Sequence, residues 1–273
     1  MQQYLGALQH IMEHGKERSD RTGVGTKAIF GMQMRYAMAD GFPAVTTKKL
    51  AFNLVKAELL WFLSGSSDVR ELQKLGCNIW NENAEAPYWK PKARFEGDLG
   101  RVYGVQWRSW ETTDGRTIDQ IHHVIERIKS DPHDRRLIVN AWNPGEIDQM
   151  ALPPCHTFFQ FFVENETLSL QMYQRSCDMF LGGSFNIASY SLLLHMVAQV
   201  TGLKPGEFVH TLGDAHVYLN HFDQVKEQLT RVPLPLPQLS LNPEIKNIDH
   251  FTVNDIKLVD YQSHASIKAK MAV

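Results

Sequence analysis

The sequence predicts an α+β fold in a single domain spanning residues 1–273, and three observations carry that prediction. Segments of helical period and segments of strand period interleave without a regular βαβ repeat. Two predicted helices, over 52–63 and 185–201, are too apolar around their circumference to lie on a surface. No internal repeat or low-complexity linker divides the 273 residues, enough chain to bury roughly three quarters of its unfolded surface.

Residues 2–14 place Leu5, Leu8, Ile11 and Met12 at helical spacing and stop at Gly15, which predicts a first helix. Asp20-Arg21-Thr22-Gly23-Val24-Gly25 reads as an ordered loop before a strand at 27–36. Its glycines permit close approach to a phosphate, but a Walker lysine and a full dinucleotide fingerprint are both lacking. The helix over 52–63 carries Glu58 at its centre, either on a solvated stripe beside Lys56 or buried with a raised pKa. Residues 76–110 are loop-rich and aromatic, with Ile79, Trp80, Tyr88, Trp89, Tyr103 and Trp107 lining a pocket for a planar ligand or anchoring irregular chain.

A helix over 118–128 is stopped by Ser130-Asp131-Pro132, and Asp134-Arg135-Arg136 leads into a strand at Leu-Ile-Val. Two strands, 156–163 and 168–176, pair through the turn-forming residues 164–167. The long apolar helix over 185–201 takes Ser184 as N-cap and Gly202 as stop. A strand at 207–218, a helix over 220–230 and an extended proline track from Val232 complete the chain.

With 43% hydrophobic and 21% charged residues the composition is that of an ordinary globular protein, and the net charge of -2 gives no general basic face for nucleic acid or an anionic membrane. Basic function is therefore local. Three cysteines without metal-type spacing fit a reducing compartment, and the N-terminal residues do not read as a signal peptide. A cytoplasmic location is expected, and no apolar run is expected to reach bilayer length, because 185–200 is interrupted by Asn186, Ser189, Ser191, His195 and Gln199.

Residues 153–190 concentrate the chemistry. Cys155 is a buried packer or a nucleophile. His156, next to it on a strand, points to the opposite face, so the better activator is Arg175 on the partner strand, whose charge would lower the thiol pKa. Arg21, Arg135, Arg136 and Arg175, with the Ser176 hydroxyl, form a guanidinium set suited to one phosphate monoester. Asn186 caps a helix or reads the edge of a base, since an amide offers both donor and acceptor. His216 and Tyr218 lie two apart on one strand face and suit a sugar hydroxyl. His210, His216 and His221 match no metal-ligand spacing.

Across nearly the whole chain the sequence resembles the thymidylate synthase family. The match runs through Asp-Arg-Thr-Gly, Glu-Leu-Leu-Trp-Phe-Leu, Asn-Ile-Trp, Gly-Asp-Leu-Gly-Arg-Val-Tyr-Gly, Asp-Arg-Arg, Leu-Pro-Pro-Cys-His, Tyr-Gln-Arg-Ser-Cys-Asp, Phe-Asn-Ile-Ala-Ser-Tyr, Gly-Asp-Ala-His-Val-Tyr and the terminal Met-Ala-Val. The resemblance implies a mixed sheet packed by helices, a homodimer formed sheet to sheet, and reductive methylation of dUMP to dTMP. The reduced folate 5,10-methylenetetrahydrofolate would be one-carbon donor and reductant, with no metal.

Carried over, Cys155 adds to C6 of the uracil, and Arg21, Arg175 and Ser176 hold the phosphate. Arg135 and Arg136 reach in from the other subunit. Asp178 and Asn186 read the pyrimidine, His216 and Tyr218 hold the deoxyribose, Glu58 organises proton transfers, and Tyr103 assists loss of the C5 proton. Trp80, Ile79, Leu152, Asp178, Gly182, Phe185 and Ala272, with Val273, border the folate. An asparagine at 186 points to dUMP, where the related dCMP hydroxymethylases have aspartate.

Ala51, Asn83 and Gly183-Ser184 depart from the family pattern on the folate side, and residues 84–96 are an insertion that reads as a basic surface loop. Two competing functions follow, hydroxymethylation of dUMP and RNA binding through that insertion; neither a membrane partner nor RNA is expected.

Overall fold

The structure, a computed structural model, describes residues 1–270. Eight α-helices are described: α1 (Gln2–His14), α2 (Phe52–Ser64), α3 (Val69–Lys74), α4 (Asn81–Ala84), α5 (Tyr103–Arg108), α6 (Gln120–Ser130), α7 (Ser184–Thr201) and α8 (Phe222–Leu229). The strands are β1 (Lys16–Arg18), β2 (Thr26–Ala37), β3 (Trp110–Glu111), β4 (Thr117–Ile118), β5 (Ile138–Asn140), β6 (His156–Glu164), β7 (Thr167–Asp178), β8 (Lys204–Tyr218), β9 (Gln238–Leu241) and β10 (Ile256–Val259). Six strands form one sheet in the order β1-β2-β8-β7-β6-β5, and β3-β4 and β9-β10 are separate ribbons.

The sheet is mixed because β7 and β8 pair in parallel while every other neighbour is antiparallel. A parallel pair needs a crossover long enough to return the chain, and α7 supplies it, lying against both strands. One contiguous apolar core joins α1, α2, α7 and the inner sheet face. On β6, Phe159, Phe161 and Val163 point inward, whereas Phe158 and Phe162 are exposed on the outer face, as a period of two requires.

The α+β prediction agrees with this architecture, and the remaining differences have local causes. Residues 16–18, for which no strand was expected, pair with β2, and the β9-β10 ribbon at 238–259 was not anticipated because its segments are only four residues each. The sixth helix starts at Gln120, not 118, because the Asp119 carboxylate caps it by accepting from the His122 N–H at 2.9 Å. Ser184 is not the cap of α7. A π-helical turn, Met179–Gly183, precedes it and is capped by Asp178, which accepts from the N–H groups of Phe180 and Leu181 at 3.0 and 3.2 Å. With that turn the helical stretch Met179–Thr201 has 23 residues, long and apolar enough to span a bilayer contrary to expectation, yet 72% of its most apolar window is buried in the protein. Gly202 ends it in the left-handed region, φ 74°.

The insertion 84–96 is braced against the protein. Trp89 is buried and donates to the Asp98 carbonyl at 2.7 Å, and the exposed Tyr88 ring is tethered by its hydroxyl to the Ala151 carbonyl at 2.8 Å. Burial opposes ionisation of Asp98, but the Arg94 guanidinium, the Ser67 hydroxyl and the Gly100 amide hold its carboxyl well below the usual range.

Candidate active site

Sheet register gathers half of the site. Along the parallel pair, Ser176, Cys177 and Asp178 stand opposite Asp214, Ala215 and His216; across β2, Thr26 and Ala28 stand opposite Tyr218 and His216. The Arg175 N–H donates to the Cys155 carbonyl at 2.9 Å, fixing the residues before β6 beside the end of β7. Cys155, Arg175, Ser176, Asp178, His216 and Tyr218 therefore collect at one end of adjacent strands. His216 donates through Nδ1–H to the Asp214 carboxylate at 3.0 Å, and its ring meets Tyr218 edge-on at 5.2 Å.

Arg21 arrives on the loop between β1 and β2. The Asp20 carboxylate shapes that loop by accepting from the Thr22 N–H (3.0 Å), the Thr22 hydroxyl (2.6 Å) and the Gly25 N–H (2.8 Å). The loop's last carbonyl accepts from the Leu219 N–H at 3.0 Å, so Arg21 is brought to the Tyr218 end of the sheet. Burial and the Asp178 charge raise the Tyr218 hydroxyl pKa, and Arg21 pulls the other way.

The expected effect of Arg175 on the thiol needs correction. Its Nε donates to the Pro154 carbonyl at 2.8 Å and Nη2 to the Pro153 carbonyl at 2.9 Å, with the Trp142 ring 5.4 Å from the guanidinium. These bonds pin the Pro-Pro-Cys segment. Burial pushes the Cys155 thiol pKa up, and the pull of Arg175 and Tyr103 does not cancel it. The net outcome is a thiol, not the lowered pKa expected from the arginine alone. Cys77 and Cys177 are buried with raised pKa values, as inert packers should be.

The other half of the site comes from helices and loops. Glu58 on α2 is buried, accepts from Trp80 Nε1 at 2.7 Å, and is pushed by burial to about 7 despite that bond. The solvated-stripe reading fails because Lys56 turns away, donating to the Val253 and Ile256 carbonyls at 2.8 and 3.2 Å. Trp80 packs edge-on against Tyr103 at 5.8 Å, Phe62 stacks on Tyr103 at 4.8 Å, and the Tyr103 hydroxyl accepts from the Cys155 N–H at 2.7 Å. Glu58, Trp80, Tyr103 and Cys155 thus form one continuous chain of contacts.

Ile79, Leu152 and Phe185 are apolar and partly exposed, and Gly182 lies in the π turn. Trp80 is nearly buried and offers little area of its own. Ala272 and Val273 lie outside the described residues. Among the described residues no group of three or more His, Cys, Asp or Glu could hold a metal ion.

Asn186 sits in the first turn of α7, its Oδ1 accepting from Gln174 Nε2 at 3.1 Å. Sequence reading missed Gln174, the loop-shaping role of Asp20, and Lys48. Lys48 is buried, donates to the Phe180 carbonyl and stands 3.9 Å over the Phe180 ring; burial lowers it to about 8, opposed by Asp178. Only the Asp-x-Thr pattern at 20–22 carries a local signal, that of an Asx turn.

Arg135 and Arg136 are not brought to this site within one chain. The Arg135 carbonyl accepts from Gln160 at 3.0 Å, five residues along β6 from Cys155, on the order of 17 Å at ~3.3 Å per residue. Arg136 pairs with Asp134 at 2.9 Å and is otherwise exposed. A family model described as Thymidylate synthase matches residues 2–273.

Proposed function

The chain belongs to the thymidylate synthase family, and from that premise we propose how its own residues carry out the conversion. It is an enzyme, a methyltransferase acting on dUMP, and the family reaction makes dTMP with methylenetetrahydrofolate. When bound, that folate supplies the one-carbon unit and the hydride and leaves as dihydrofolate.

The observation that carries the residue-level reading is the continuous chain Glu58–Trp80–Tyr103–Cys155, which links a buried carboxyl through two aromatic side chains to the backbone amide of the candidate nucleophile. Cys155 Sγ forms a bond to C6 of the uracil, moving the C5–C6 π electrons toward C5 and O4 so that C5 attacks carbon. The thiol must first lose its proton, and Arg175 is the cation that favours that loss. Glu58, titrating near neutrality, can both give and take a proton during the turnover. Tyr103 stands at the Cys155 amide to relay the proton lost from C5.

Arg21, Arg175 and Ser176 bind the phosphate, His216 and Tyr218 the deoxyribose, and Asp178 with Asn186 the base. Trp80, Ile79, Leu152, Asp178, Gly182 and Phe185 border the folate and exclude water from the one-carbon unit. Arg135 and Arg136 complete the phosphate site from a second copy, whose docking on the outer sheet face is supported by the exposed Phe30, Ile138, Phe158 and Phe162. Three free thiols agree with a cytoplasmic location.

The test is direct. Protein mixed with dUMP and methylenetetrahydrofolate should yield dTMP and dihydrofolate in equal amounts, and Cys155→Ser should yield neither. Hydroxymethyl-dUMP as the main product, or full turnover by the serine variant, would overturn the reading.

A further inference from the structure

Asn186 does not set its own orientation. Gln174, nearly fully buried on β7, donates through Nε2 to the Ser176 carbonyl at 3.0 Å and to Asn186 Oδ1 at 3.1 Å. A backbone carbonyl only accepts, so the end of Gln174 that faces it is the amino end. The opposite end, Oε1, lies 2.8 Å from Nε2 of His210, a fully buried residue of β8. Oε1 can only accept, which places the proton of His210 on Nε2. Burial holds His210 neutral, near 3, and its Nδ1 has no partner among the described residues. The imidazole is further held by stacking on Phe208, with ring centroids 5.5 Å apart. Each link has only one consistent direction: His210 Nε2–H to Gln174 Oε1, Gln174 Nε2–H to Asn186 Oδ1.

That direction matters for the base. The uracil edge presents an acceptor at O4 and a donor at N3–H; the cytosine edge presents a donor at the 4-amino group and an acceptor at N3. A rotated Asn186 amide would exchange its donor and acceptor and so fit cytosine. We propose that His210 is a positioning residue for base selection, fixing the Gln174 amide and through it the face that Asn186 shows to the pyrimidine. This rests on the reading of Asn186 as the base reader. Oδ1, already accepting from Gln174, keeps a second lone pair for N3–H, and Nδ2 is left to donate to O4. Without the His210 donor, Oε1 of Gln174 is a buried acceptor with no partner, and the amide relaxes by rotating.

The experiment compares dissociation constants for dUMP and dCMP in the intact protein. His210→Phe keeps the stacked ring and removes the donor, and should lower the dUMP preference about tenfold, equivalent to about 1.4 kcal/mol. His210→Gln, whose amide nitrogen can stand near the former Nε2, should restore most of it. If His210→Phe does not fold, Gln174→Met breaks the same relay and is expected to give the same loss. A purely structural role weakens both nucleotides together, and an unchanged ratio in a folded variant overturns the proposal. Asn186→Ala separates the two ideas. If it abolishes the preference while His210→Phe leaves it intact, only the positioning role fails; if it leaves the preference intact, the base-reading assignment fails and the relay with it.

Discussion

The proposed nucleotide side of the site and the proposed folate side are built by different means. Arg175, Ser176, Asp178, His216 and Tyr218 stand on neighbouring strands whose register fixes them together. Ile79, Trp80, Leu152 and Gly182 stand on short helices, loops and a π turn, each held by separate bonds such as Tyr88 to Ala151 and Lys48 to Phe180. A sheet positions many groups through one ladder, whereas loops need a brace for every segment.

The sharpest test of the strand-end side is its proposed nucleophile. Cys155→Ser should reduce dihydrofolate formation by about 10³-fold or more, because the hydroxyl is a far weaker nucleophile at neutral pH. Retention of measurable dUMP binding would place that loss in chemistry.

Glu58 lies where the two sides meet. Glu58→Gln should lower turnover about 10²- to 10⁴-fold and remove a pH-rate inflection near 7. The sign for stability is also set. With its folded pKa raised from 4.5 to about 7, Glu58 favours the folded state below the unfolded pKa. That contribution is lost as pH rises from about 4.5 through about 7, at about 1.4 kcal/mol per unit of difference. Urea titrations at pH 5 and pH 8 should show this fall in the wild type and a smaller one in Glu58→Gln.

Away from the strand-end side, Asp98→Asn should break the brace under residues 84–96. The substitution removes the buried charge and leaves only the exposed Arg94, so a fall in Tm of a few degrees is expected in thermal unfolding. Nucleotide affinity should hardly change. Were dUMP binding to weaken as much as folate binding, the two sides would not be independent.

The smallest effect belongs to Tyr88→Phe. Losing the hydroxyl bond to Ala151 removes about 1 kcal/mol of tethering. KM for the folate should rise a few-fold with the dUMP dissociation constant unchanged in titration.

How much was legible depended on whether the signal was local. The apolar helices around Glu58 and Asn186 and the strands of β6, β7 and β8 follow from hydrophobic period, and Gly202 from its place after the last apolar turn. The short ribbon at 238–259 was missed because four-residue segments have too little periodicity. Ser184 was taken for a cap because the π turn that moves the true cap to Asp178 has no sequence signature.

By itself the sequence determined the fold class and the family, and it named the candidate reactive groups, since these depend on residue type and spacing. Only the tertiary structure decided their states. Burial holds the Cys155 thiol up against Arg175, makes Glu58 a near-neutral acid, and leaves Arg135 and Arg136 remote from the site of their own chain. The direction of the His210–Gln174–Asn186 relay was equally out of reach. Desolvation and hydrogen-bond direction depend on what surrounds a group in space, and in each case those neighbours come from distant parts of the chain.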